Sequence, residues 1–122
     1  MILAATSVWA GHLRCGDPEM ARRLDDGMVL THPLVIGELA MSAMRRRDMV
    51  LGALHALPGA IVASDREVCD LIEREGLYGQ GLSYTDAHLL AATRLTPGCR
   101  LWTHDPKVRD IALRMRTAFA AA

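Results

Sequence analysis

Three acidic residues occupy positions from which a chain of this size could do chemistry. Glu38 lies inside an otherwise apolar helical stretch, LVIGELAM; Asp86 lies in LSYTDAHLLAA; Asp105 follows RLWT and precedes Pro106. Each has an ordinary explanation. An inward-facing Glu38 is costly unless paired or bound to a cation, so an outward, solvated Glu38 has a slight edge when it is taken alone. Ser83-x-x-Asp86 matches a capping box, in which the acid accepts from a backbone N–H. Asp105 before Pro106 is an ordinary helix start. Convergence lifts the three above these separate explanations. Carboxylates gathered at one edge of a sheet repel one another unless a divalent cation lies among them, and hard oxygen ligands suit Mg²⁺ or Mn²⁺ rather than zinc. Such a site performs metal-assisted phosphodiester hydrolysis, activating a water and neutralising the phosphate.

Strands alternating with helices must position these acids. Residues 1–5 read as a first strand whose tip is Ala4-Ala5, and Thr6 and Ser7 turn into a helix. Asp17-Pro18 starts a short helix that stops at Gly27. Residues 28–30 form a brief strand, and Thr31-His32-Pro33 leads into a helix through about Arg46. Asp48 caps a further helix up to Leu57, closed by Pro58-Gly59, and residues 60–63 form a third strand. Ser64 to Glu67 resembles an N-terminal cap for a helix reaching Gly76. The loop GLYGQG follows, then a helix from Ser83 to Leu95, a fourth strand over 100–103, and a last long helix from Asp105-Pro106. The terminal AFAAA is compositionally biased and expected to fray. With no tight hairpin signals, this order predicts an α/β domain spanning 1–122, its parallel sheet covered on both faces. In such a sheet chemistry is mounted at the strand tips, and a bare methyl group at the first tip is unexpected there.

Composition narrows the classes. The chain has 122 residues, enough for one domain with a real core, and its 51% hydrophobic content suggests that some apolar surface is shared with a partner. No apolar run approaches the roughly 20 residues needed to span a bilayer, and no secretory signal pattern is present. Cys15, Cys69 and Cys99 are odd in number and lack CxxC spacing, which predicts reduced thiols and a cytoplasmic protein. Basic and acidic residues balance at 14 each, so a nucleic-acid partner must be held by local basic patches.

The segments MIL-x-x-TSVW, HPLVIGELA, YTDAHLLAA and RLWTHD, in that order over nearly the whole chain, resemble the PIN-domain ribonucleases and, among them, the VapC toxins of bacterial type II toxin–antitoxin pairs. The resemblance implies a three-layer α/β/α fold around a mainly parallel sheet and Mg²⁺-dependent endonucleolytic cleavage of RNA. It further implies a small VapB antitoxin that blocks the site, and a homodimer. Position by position, Glu38, Asp86 and Asp105 match the family's second, third and fourth acids. Thr6 and Ser7 match the residues beside the first acid, and Thr103 the polar residue two before the fourth. The first acid belongs directly before Thr-Ser, where this chain has Ala5. Three explanations compete: an engineered Asp→Ala change, natural loss leaving a nuclease-dead binding module, or a metal still held by the remaining acids. The intactness of the other matched positions favours the first. The implied protein is an endoribonuclease disabled at position 5; the alternative is a non-catalytic protein on the same fold that binds antitoxin or RNA.

Arg45, Arg46 and Arg47 form the densest basic cluster. A solvated helix C-terminus and an RNA-backbone contact explain it about equally well. Arg14, Arg22 and Arg23 are weaker candidates of the same kind. The GLYGQG loop matches neither a P-loop nor a dinucleotide fingerprint, and offers Tyr78 for stacking on a base. Met41, Met44 and Met49 read as core, with an adaptable partner groove as the lesser reading, and Trp9 and Trp102 read as packing residues. The five histidines show no zinc spacing and take no ligand role.

Overall fold

The computed structural model describes residues 1–120. Three parallel strands, β1 (Ile2–Ala4), β2 (Val29–Leu30) and β3 (Arg100–Trp102), form a sheet of order β2-β1-β3. Ile2 and Leu3 pair with Val29 and Leu30 on one side, and β1 pairs in register with Arg100 to Trp102 on the other. Every residue of β1 is buried. In a strand, successive side chains face opposite ways, so an unbroken buried run means that both faces of the central strand are covered.

Seven helices supply the cover: α1 (Thr6–Cys15), α2 (Pro18–Asp25), α3 (Pro33–Met41), α4 (Arg47–Ala56), α5 (Asp65–Glu75), α6 (Tyr84–Leu95) and α7 (Pro106–Arg114). Their starts follow side-chain chemistry. Asp17 accepts from the backbone N–H groups of Glu19 and Met20 at 2.9 and 3.3 Å, ahead of Pro18 at the first helical position. Ser64 with Glu67, and Ser83 with Asp86, close reciprocal capping boxes at α5 and α6. One core joins the sheet to the helices, with Leu3, Leu39, Leu71, Leu90 and Leu101 among its enclosed side chains. The architecture agrees with the α/β expectation.

Several local expectations are corrected. Residues 60–63 are not a strand. Ala60 N–H donates to the Thr31 carbonyl at 2.9 Å beside a lone Thr31–Gly59 bridge, but the next amide, of Ile61, donates instead to the Thr96 hydroxyl. The ladder therefore stops after one bridge. The helix expected to reach Arg46 ends at Met41, because both the amide and the hydroxyl of Ser42 turn back onto the Leu39 carbonyl. The chain reverses through Arg46, at φ +53°, so Arg46 rather than Asp48 occupies the cap position of α4. Met41 and Met49 are exposed and only Met44 packs against the core, contrary to the core reading of all three. The last helix is only nine residues long. Beyond it Ala118 bridges to Leu101, and Phe119 lies 5.2 Å from the Trp102 ring. Fraying therefore does not apply to these two residues, and the part of that expectation at 121–122 lies outside the described residues.

Candidate functional site

Parallel strands bring their carboxyl ends to one edge, and Ala5 lies at that edge. Its N–H donates to the Trp102 carbonyl at 2.8 Å, tying the tip of β1 to the end of β3. Its carbonyl accepts from Val8 and Trp9, so the same residue also starts α1. The methyl group is buried.

The two residues after Ala5 reach in different directions. The Thr6 hydroxyl donates to Glu38 Oε1 at 2.5 Å, joining the start of α1 to α3. The Ser7 hydroxyl accepts from the His104 N–H at 3.1 Å, joining α1 to the turn after β3. In that turn Thr103 Oγ1 accepts from the Asp105 N–H at 3.1 Å, and Asp105 Oδ1 accepts from the Lys107 N–H at 2.9 Å. Glu38 and the Asp105 turn are thus tied to the neighbours of position 5 from two sides. Thr6, Ser7 and Thr103 each hold part of this framework.

Asp86 is placed by α6, which packs on β3. Its Oδ2 accepts from the Ser83 N–H at 2.9 Å, while its own N–H donates to the Ser83 hydroxyl at 3.1 Å. The loop before α6 approaches α7 at Gly81, where a β-carbon would lie 3.2 Å from Lys107 Nζ.

As it stands, this arrangement does not fit a divalent cation. Glu38 is engaged by Thr6, and Asp86 and Asp105 by helix-start amides. Among the described residues no three His, Cys, Asp or Glu side chains are gathered closely enough to ligate one ion.

The arginine cluster sits elsewhere than expected. Arg46 and Arg47 open α4 rather than ending a helix, and the Arg47 guanidinium donates to the Ala40 carbonyl at 3.0 Å. Cations at a helix N-terminus gain nothing from that helix's dipole, so any helix C-terminus benefit comes from α3 rather than α4. What Arg47 does satisfy is a carbonyl in the last turn of α3. All three arginines are exposed.

Sequence reasoning missed a second polar constellation. Tyr84 OH donates to Asp65 Oδ1 at 2.7 Å, and His88 Nε2 lies 3.4 Å from the same oxygen. The bond from Tyr84, followed by that from His88, lowers the Asp65 carboxyl from its ordinary range. The reciprocal effect pushes the Tyr84 hydroxyl up to about 12. Behind them His32, fully enclosed, lies 6.1 Å from the His88 ring. His32 Nδ1 accepts from the Leu34 N–H at 3.1 Å, so the neutral ring carries its proton on Nε2. That Nε2 and His88 Nδ1 are buried without hydrogen-bond partners among the described residues. Burial, then the neighbouring His88, depresses His32 to about 4. The i, i+4 spacing of Tyr84 and His88 was the available signal, since such residues share a helix face.

No family model matches the chain. Over 120 residues, covering 98% of this chain and 97% of the relative, it is 41% identical to the protein named Ribonuclease VapC32 in each of two strains of Mycobacterium tuberculosis. No helix among the described residues is long and apolar enough to cross a membrane.

Proposed function

The chain belongs to the VapC family of PIN-domain ribonucleases, and from that premise we propose that it carries the scaffold of a toxin endoribonuclease that hydrolyses RNA phosphodiesters, disabled here at position 5. Mg²⁺ or Mn²⁺ is the cofactor proposed for the intact site, with Glu38, Asp86 and Asp105 as the acids still in place. A VapB-type antitoxin is the proposed partner, the cytoplasm the proposed location, and a homodimer the proposed state.

The observation that carries this reading is the position of Ala5. It lies at the junction of β1, α1 and β3, flanked by Thr6 bonded to Glu38 and by Ser7 bonded to the Asp105 turn. In this chain those groups orient one another, and among the described residues no three acidic, His or Cys side chains are gathered to hold one ion. The proposal therefore has the chain binding Mg²⁺ or Mn²⁺ weakly and cutting RNA negligibly while folding normally. The lack of a three-ligand cluster among the described residues also suits the second reading, a non-catalytic protein on this fold that binds antitoxin or RNA.

Thermal melts test the metal assignment. Alanine at position 5 removes one of several like charges, which relieves repulsion when no metal is bound. The chain should therefore melt no lower than its Ala5→Asp variant in chelator, and added Mn²⁺ should raise the variant's Tm more. Equal Mn²⁺ responses from the two proteins would remove position 5 from the metal site.

A further inference from the structure

The chain's large aromatic residues are two tryptophans, one phenylalanine and two tyrosines. Trp9 and Trp102 are buried, and Phe119 packs on Trp102. Both tyrosines are left outside the core, Tyr78 at 68% and Tyr84 at 48% exposure. They also line one cavity of about 220 Å³, whose apolar wall includes Ile72, Leu77, Leu82 and Ala87.

The two rings are held differently. Tyr84 is fixed by its bond to Asp65 and by an edge-on contact with the His88 ring at 4.9 Å. Tyr78 stands on a turn in which Gly79 and Gly81 take φ of +70° and +81°. The cavity adjoins the candidate site, because Ser83 lines it and caps the helix that carries Asp86. Its loop also meets a cation: Lys107, the chain's only lysine, reaches Gly81 and forms no ion pair with a carboxylate among the described residues.

An apolar pocket lined by two tyrosines, with a cation against the adjoining loop at Gly81, matches a nucleotide in which base and phosphate are separate recognition elements. Every base has a π-face that stacks on an aromatic ring, and an unpaired strand can present it. We propose that this cavity is a nucleobase subsite: one unstacked base of a single-stranded RNA lies against Tyr84 and Tyr78, with an adjoining phosphate on the Lys107 side. The assignment rests on the RNA reading above and adds to it where the strand is gripped.

The test uses the chain as it is, which on the reading above leaves the probe intact. Fluorescence anisotropy compares binding of a labelled single-stranded oligouridylate with that of an abasic oligonucleotide of equal length. Tyr78→Ala and Tyr84→Leu should each weaken oligouridylate binding about 5- to 150-fold, the worth of one base–aromatic stack, and leave abasic binding unchanged. Tyr84→Phe, which keeps the ring, should lose far less. Lys107→Met should weaken both probes and flatten the salt dependence. Circular dichroism melts exclude unfolding of any variant. If RNA binds and the tyrosine variants bind it as tightly as the parent, the subsite is overturned while the RNA reading stands. If the tyrosine variants lose only antitoxin binding, the surface belongs to a protein partner and the subsite is overturned. If neither the chain nor Ala5→Asp binds the oligouridylate, the RNA reading itself falls and takes the subsite with it.

Discussion

His32 shows how much one side chain can decide. It caps α3 through Nδ1, yet its other nitrogen is enclosed and unpartnered among the described residues, facing His88. Burial depresses its pKa to about 4 from an ordinary 6.5, so between those values the unfolded chain takes up a proton that the folded chain refuses. The neutral form costs nothing above pH 6.5. As pH falls from there toward 4 the native state should lose about 3 kcal/mol through this one group. Asp65, whose carboxyl is held low by Tyr84 and His88, adds a loss only at still lower pH. His32→Asn retains a capping acceptor without the titration. Urea unfolding across this range should show a much flatter pH dependence for His32→Asn, and an unchanged slope would clear His32 of the effect.

At the scale of elements, Asp86 serves a structural purpose in this chain: it closes the capping box at the start of α6. Ser83→Ala should lower stability by about 1 kcal/mol, the usual worth of an N-cap. Asp86→Asn should cost a comparable amount in chelator, seen as a lower Tm, because its ionised carboxylate accepts the Ser83 N–H beside the helix N-terminus. No stability change in either variant would leave Asp86 without its capping role. This double duty limited what the sequence could reveal. Ser83-x-x-Asp86 and Asp105-Pro106 marked helix starts correctly because capping is local chemistry written in adjacent residues. The Thr6–Glu38 bond spans 32 positions and the His104–Ser7 bond 97, so neither could be read from local patterns. Residues 60–63 misled for a related reason. Their short apolar run, AIVA, reads as a strand, but whether the ladder continues depends on Thr96, far along the chain, capturing the Ile61 amide. The cluster Arg45 to Arg47 was legible as charge, but its place between two helices depended on where α3 stopped.

For the whole molecule, exposed apolar surface bears on association. Met41 at 89%, Met49 at 59%, Ile61 at 49% and Val62 at 50% exposure all fall in the stretch from the end of α3 to the segment after α4. Exposed apolar side chains are the ones a pairing surface would cover. The proposed homodimer should elute from size exclusion with light scattering at twice the 13.3 kDa of one chain, and Met49→Glu with Val62→Glu should shift it toward monomer. A monomeric parent at tens of micromolar would count against the dimer.

On the proposed reading, one missing oxygen ligand at the tip of β1 disables a nuclease scaffold. Incubating a labelled single-stranded RNA with this chain and with its Ala5→Asp variant, with Mg²⁺ and with chelator, tests it most directly. The account predicts negligible cleavage by the chain and clear, chelator-sensitive cleavage by the variant. Equal cleavage by both would show that position 5 is not part of the catalytic site, and an inert variant that still binds Mn²⁺ would leave a non-catalytic binding protein in place of the disabled ribonuclease.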